Sequence, residues 1–289
     1  MKAAAMFAGV DIGGTGVKVG VVDSEGRVVA RDQENYHPEK HEPQDVVGVA
    51  DKVLHKVLKT LNLGLGDLED VGVGCPGVLE AGGVIHAAAS FPSWKNVPLQ
   101  QLLTDALGRP VTVCNDADAA ILAEQWVGTA KGGVKDFIML TLGTGIGFGV
   151  VANGQLVRGG SNAIEGGHMI VERNGRSCGC SQYGCLEAYS SAGALMSQAR
   201  EHLLSDINAE FVFKHAAEGD ELCKHLIQEI IVLSGGIAEA GETYIEQIRC
   251  AYAKHTWTKF PNPVHIEKAS AGYDSGIIGA VAVCLNQRK

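Results

Sequence analysis

The chain has 289 residues, 46% of them hydrophobic, with 38 glycines and a formal net charge of −9. That is enough apolar material for one large or two medium domains. The glycines are spread through apolar runs, which points to tight turns and ligand loops and away from disorder. No cluster of Lys or Arg interrupts the acidity, so nucleic acid is not an expected partner, and no apolar run reaches the roughly 20 residues of a membrane helix, so a membrane is not one either.

The opening MKAAAMFAGVDIGG has one lysine and a short apolar run that meets Asp11 without a convincing cleavage region, so it reads as a first strand and not a leader. The expectation is a soluble, cytoplasmic protein. FAGVDIGG, VKVGVVD and RVVARDQ are β-rich runs divided by glycine or by Ser24-Glu25-Gly26, the pattern of an antiparallel meander. From Gln44 to Leu61 the apolar residues fall at helical spacing, and the strand DVGVGCPG follows. After the Gly82-Gly83 turn come a short strand, a helix near Leu99–Leu107 and the strand VTVC. Asn115-Asp116 closes that strand and caps the helix DADAAILAEQW, either side chain being suited to accept from the free N–H groups. DFIMLTLGTGIGFGVVANGQLVRG then reads as a glycine-broken hairpin with Asn153-Gly154 as its turn. A β-meander followed by alternating α and β thus begins twice, which predicts two lobes with a cleft between them.

Two glycine loops join strands, one in each half: Asp11-Ile-Gly-Gly-Thr15-Gly-Val-Lys18 and Leu142-Gly-Thr-Gly-Ile-Gly147. Without side chains, backbone N–H groups can approach an oxyanion; Thr adds a hydroxyl, and a carboxylate at the strand end can hold hydrated Mg²⁺. Either loop alone could be only a tight hairpin; the pair suggests a nucleotide clamp. No G-x-x-x-x-G-K-[ST] loop occurs. Gly72-Val-Gly74-Cys-Pro-Gly77 satisfies G-x-G-x-x-G, but Pro76 and the VLEAGGV after it argue against the helix a dinucleotide site needs.

Of the eight cysteines, Cys75, Cys114, Cys223, Cys250 and Cys284 stand singly and read as buried thiols, whereas Cys178, Cys180 and Cys185 crowd into eight positions downstream of His168.

DIGGTGVK, GCPG, CNDADAA, LGTGIG, EGGH, CGCSQYGCLEA and LSGGIAEAG, in that order, make the chain resemble the ROK family of repressors, uncharacterised reading frames and sugar kinases along nearly its whole length. The resemblance implies an α/β, two-lobed actin-like ATPase (ribonuclease H-like) fold with ATP and a hexose in the interlobe cleft. A smaller lobe would take 1–115 with the C-terminal helix 276–289, and a larger one 116–275. The phosphates of ATP would lie near Gly13, Gly14, Thr15, Gly143, Thr144 and Gly145, with Asp11 and Lys18 at the first loop serving Mg²⁺–ATP, and the nucleoside near Gly235 and Gly236. The family's catalytic aspartate falls on Asp116. A sugar hydroxyl is a poor nucleophile at neutral pH, and a carboxylate within reach can take its proton as the γ-phosphoryl arrives; the alternative for Asp116 alone is an ordinary helix cap. Asn115, Glu165, His168 and Glu187 match the family's sugar-binding positions, acceptors and donors suited to the many hydroxyls of a polyol.

His168, Cys178, Cys180 and Cys185 match the family's zinc site. A Cys₃His set is closed and tetrahedral, so the zinc would be structural, with His168 serving both metal and sugar. The alternative is one disulfide with spare thiols. The pattern departs from the family at HLIQEIIVLSGG, where a helix over Asp220–Glu229 runs into a strand over Ile230–Ser234 with no turn residue between them, although such connections usually take about 2–6 residues. The segment from about Ser205 to Phe213 also looks shortened.

The expected activity is ATP-dependent phosphorylation of a hexose, glucose to glucose 6-phosphate, in a homodimer. An N-acetylmannosamine kinase would use the same contacts. A non-catalytic sugar sensor would share the fold; a free-standing repressor is not expected, since ten residues precede Asp11 and the charge is acidic.

Overall fold

The structure is a computed structural model that describes residues 5–36, 42–80, 82–88, 90–158, 164–202, 211, 214–215, 218–220, 242–255 and 265–287. Gly235, Gly236 and the helix–strand junction at 229–230 lie outside the described residues. Close contacts group the chain into two compact units, Met1–Ile138 with Gly149–Ile164 and Ala269–Lys289, and Met139–Phe148 with Glu165–Lys268. The first unit runs past the 115/116 boundary read from the sequence because the helix that begins at Asp116 packs on the C-terminal helix and stays with the first sheet.

That sheet holds β1 (Met6–Ile12), β2 (Gly16–Asp23), β3 (Val28–Asn35), β4 (Leu68–Cys75) and β8 (Thr112–Asn115) in the order β3-β2-β1-β4-β8. The meander β1–β3 is antiparallel, as its short turns require, while β4 and β8 run parallel to β1. This is the ribonuclease H-like order of actin-like ATPases. One face is covered by α1 (Pro43–Thr60) and α2 (Leu99–Leu107). The first begins with Pro43, whose missing N–H the first turn does not need, and buries the Val46, Val47, Ala50, Val53, Leu54, Val57, Leu58 stripe that its spacing announces.

The other face takes α7 (Ser275–Gln287), which is buried from Ile277 to Cys284. Glycine lets it come close: a Cβ at Gly9 would run into the Ile277 carbonyl and one at Gly72 into that of Ala280. Its outer side meets α3 (Asp116–Trp126), where Gly279 lies against the Ala119 carbonyl. α3 is therefore buried along most of its length, from Ala117 to Glu124.

A second sheet, β5 (Val78–Glu80), β6 (Val84–Ala88) and β7 (Phe91–Val97), stands where the sequence predicts one short strand. β7 is an edge strand containing Pro92, and it buries Phe91, Trp94 and Val97, a period of three that alternation does not reveal. A third sheet has the order β11-β10-β9, with β9 at Phe137–Leu142, β10 at Ile146–Ala152 and β11 at Gln155–Leu156. Asn153 and Gly154 turn between the last two with φ of 52° and 76°, as the Asn-Gly pair predicts.

The second unit contains α4 (Glu187–Ser190), α5 (Ala192–His202) and α6 (Glu242–His255). Cys75, Cys114 and Cys284 are buried, as expected for lone thiols, but Cys250 is exposed. It lies two positions, about 200° of rotation, round α6 from the buried Ile248. Cys223 lies outside the described residues. Among the described residues no helix is long and apolar enough to cross a membrane.

Candidate functional site

In the first unit the parallel register sets Asp11 beside Gly74, Gly74 beside Cys114 and Cys75 beside Asn115. Asp11 at the carboxyl end of β1, and Asn115 and Asp116 at that of β8, are therefore gathered on either side of the end of β4, where open α/β sheets place their ligands. Asp11 faces Lys18 across the β1–β2 pair, with Oδ2 3.7 Å from Nζ. Burial raises its carboxyl above the ordinary value, and Lys18 offsets this only in part. A carboxylate held charged in such a place gains from a cation, which is the chemistry expected of an Mg²⁺–ATP contact. Lys18 also lies over the Tyr273 ring, 4.1 Å from its centroid. The loop Gly13–Thr15 is closed by Gly13 N–H donating to the Gly16 carbonyl at 2.9 Å, and Thr15 is exposed.

The cap of α3 is Asn115, not Asp116. Asn115 Oδ1 accepts from Ala117 N–H at 2.8 Å and Asp118 N–H at 3.3 Å, while Nδ2 donates to the Gly77 carbonyl at 3.0 Å. With its oxygen spent on the helix, Asn115 can meet a ligand only as a donor. Asp116 is exposed at the first position of the helix, one oxygen accepting from Ala117 N–H at 2.9 Å. The helix-cap alternative for Asp116 is thereby weakened.

In the second unit the loop Gly143–Gly145 connects β9 to β10. Gly143 N–H donates to the Gly145 carbonyl at 3.0 Å, and the carbonyls of Gly143 and Thr144 accept from Ala192 N–H at 2.9 Å and Gly193 N–H at 3.2 Å. Ile146 N–H donates to Glu187 Oε2 at 2.8 Å. A side chain at Gly145 would collide with that carboxylate. The EGGH turn lies on the same strand, because Gly167 leaves room for the Ile146 carbonyl and Gly166 for the Phe148 ring. Glu165 is exposed at the head of this turn, and His168 N–H closes it on the Glu165 carbonyl at 3.0 Å.

That turn brings His168 to the three cysteines. Its Nδ1 is 3.6 Å from Cys178 Sγ, Cys180 and Cys185 sulfurs are 3.7 Å apart, and the four ligand atoms all lie within 4.8 Å of one another. Zn–S bonds of about 2.3 Å and a Zn–N bond of about 2.0–2.1 Å at tetrahedral angles give edges of about 3.6–3.8 Å. The donor set thus fits a closed structural zinc and leaves no ligand position for catalysis. All three thiols are free. Burial pushes the Cys178 and Cys185 thiols up, whereas that of Cys180, despite partial desolvation, is lowered by hydrogen bonds from Gln182 and its neighbouring thiols.

Three features escaped the sequence reading. Asp118, buried on α3, pairs with Arg158 at 3.2 Å, forty positions away. Glu124 is buried and accepts from the N–H groups of Thr129, Ser270 and Ala271, tying the end of α3 to the segment before α7. Gly276, in the first turn of α7, lies against the Asp11 carboxylate. Only the last has a sequence signal, a glycine next to a helix start.

The ROK family profile matches residues 7–231. The chain is 30% identical to a glucokinase of Thermotoga maritima, over 95% of this chain and 96% of that one, and 28% identical to an N-acetylmannosamine kinase of Salmonella typhi, over 94% and 95%. Among solved structures, the ROK glucokinase of Streptomyces griseus in complex with glucose and AMPPNP superposes with a TM-score of 0.83 at 26% identity, covering 96% of this chain and 99% of that one.

Proposed function

This chain belongs to the ROK family, and from that premise we propose that it is an ATP-dependent hexose kinase that converts glucose to glucose 6-phosphate. The observation that carries the reading is the placement of Asp11 at the carboxyl end of β1 and of Asn115 and Asp116 at that of β8, the two strands that flank β4. Similarity to the T. maritima glucokinase and to the glucose and AMPPNP complex supports it.

In this reading Asp116 is the general base. Its exposed carboxylate takes the proton of the sugar hydroxyl as that oxygen attacks the γ-phosphorus and the bond to the β,γ-bridging oxygen breaks, leaving ADP. Asn115, its oxygen already committed to the helix, donates to a sugar hydroxyl. Asp11 would hold the hydrated Mg²⁺ that accompanies ATP and neutralises phosphate charge, and the glycine loops at 13–15 and 143–145 would present backbone N–H groups to phosphate oxygens. Glu165, His168 and Glu187 pair further hydroxyls, each of which needs a partner once water is expelled. Zinc held by His168, Cys178, Cys180 and Cys185 would fix the wall that carries those residues.

The 28% identity to an N-acetylmannosamine kinase favours a second reading with that sugar as acceptor. A coupled ADP-release assay with glucose, mannose and N-acetylmannosamine separates them. Glucose is expected to give the highest kcat/KM; a preference for N-acetylmannosamine would replace it, and hexose binding without ADP release would make the protein a sensor.

A further inference from the structure

Beyond its expected contact with sugar, Glu187 occupies a position that points to another task. It is the first residue of α4, two places after the buried Cys185 of the ligand cluster; its Oε1 accepts from the Cys178 thiol at 3.6 Å, a bond that a metal-bound thiolate does not make. Its other oxygen accepts from Ile146 N–H at 2.8 Å, in the space left by the absent side chain of Gly145. Glu187 is therefore tethered to the metal-ligand cluster through Cys185 and bonded to the second glycine loop through its carboxylate.

The rest of the segment 187–193 grips the same loop. The carbonyls of Gly143 and Thr144 turn inward to Ala192 and Gly193 N–H. In a trans peptide the C=O of one residue and the N–H of the next point in opposite directions. The N–H groups of Thr144 and Gly145 are thus directed away from the segment, two successive donors of the kind that form an anion nest. At the next peptide the direction reverses, and Ile146 N–H points inward onto Glu187. Without that acceptor a buried residue's N–H would lose its partner, and the alternation that presents Thr144 and Gly145 would lose its end stop.

We propose that Glu187 is a positioning residue that ties the metal centre to the second glycine loop, so that metal occupancy governs the order of the loop and, through it, the hold on nucleotide phosphate. The phosphate half of this proposal rests on the kinase reading above; the tie itself does not.

The test uses the full-length metal-loaded protein and the variants Glu187→Ala and Glu187→Gln, with bound metal, amide hydrogen exchange over 139–148 and ADP–Mg²⁺ affinity all measured without sugar. Glu187→Ala should keep about one metal per chain, speed exchange of the loop and raise the Kd for ADP on the order of tenfold, the scale of one hydrogen bond to a charged group. Glu187→Gln, whose amide oxygen can still accept from Ile146, should recover most of both. Chelation should reproduce the two changes in the wild type and add little in Glu187→Ala. A residue that contacted only sugar would move neither readout. Unchanged exchange and ADP affinity in Glu187→Ala, or chelation acting equally on both proteins, overturns the proposal. Faster exchange in a protein whose wild type binds no ADP would leave the tie standing and remove the nucleotide reading. Should Glu187→Ala fail to fold, full loop protection after metal removal from the wild type is the overturning result.

Discussion

A methyl group at Gly276 would stand 2.5 Å from the Asp11 carboxylate. The first turn of α7 is packed directly on the side chain expected to serve Mg²⁺–ATP, so Gly276→Ala must push aside either the carboxylate or the helix. Overpacking of this kind costs about 1–3 kcal/mol, a drop of several degrees in thermal midpoint. The variant should also need more Mg²⁺ for half-maximal ADP binding while its hexose affinity stays near normal. An unchanged Mg²⁺ requirement, in a variant measurably destabilised, would take Asp11 out of that role.

Asp116 begins α3, but the helix is capped by Asn115. Asp116→Asn therefore leaves the cap intact and should change stability by no more than about 0.5 kcal/mol. Turnover should fall by roughly 10²–10⁴-fold, the usual loss with a general base, while hexose binding measured by calorimetry is largely retained. Near-normal turnover would assign the proton to another group.

Burial raises the Asp11 carboxyl above its ordinary 3.8, with Lys18 pulling the other way. The folded protein thus holds that proton to higher pH than the unfolded chain does. The associated stability is full below about pH 3.8 and is lost as pH rises through the folded-state value, so at neutral pH the ionised group is a net cost. Asp11→Asn should raise the thermal midpoint at pH 7 without Mg²⁺, the gain shrinking toward pH 4, and should abolish the extra stabilisation by ADP–Mg²⁺. No gain at pH 7 would mean that the Lys18 pair outweighs desolvation.

Much of the first unit was legible because its signals are local. The stripe of α1, the glycine-divided meander and the Asn153-Gly154 turn each follow from residues within a few positions of one another. The crowding of Cys178, Cys180 and Cys185 is local too, but their grouping with His168 as a metal site came from the family resemblance. What could not be read depends on distant contacts or on a broken period. β7 hides behind Pro92 and a three-residue burial repeat. Asp118 with Arg158, and Glu187 with Ile146, are forty and forty-one positions apart, and no pattern along the chain links them. Glu187 was assigned to sugar by resemblance alone; its bond to the loop needed the folded chain. The T. maritima glucokinase also carries residues that this chain lacks, since the alignment runs over 313 positions while taking in 95% of 289 residues.

The four-ligand cluster carries the prediction with the widest consequences. Purified protein should contain about one zinc per chain, as a closed Cys₃His site requires. Metal binding to a site that exists only in the fold contributes directly to folding free energy, so chelation or Cys180→Ser should lower the thermal midpoint. Hexose affinity should fall with it. Glu165 stands at the head of the three-residue turn that ends in His168, and Glu187 follows Cys185 by two positions, so the residues expected to meet sugar are held by the ligands themselves. Titrating glucose into zinc-depleted and zinc-restored samples by calorimetry reads this coupling directly. Depleted protein that binds glucose at full strength would confine the zinc to local stability, and a disulfide between any two of Cys178, Cys180 and Cys185 under reducing conditions would replace the metal altogether.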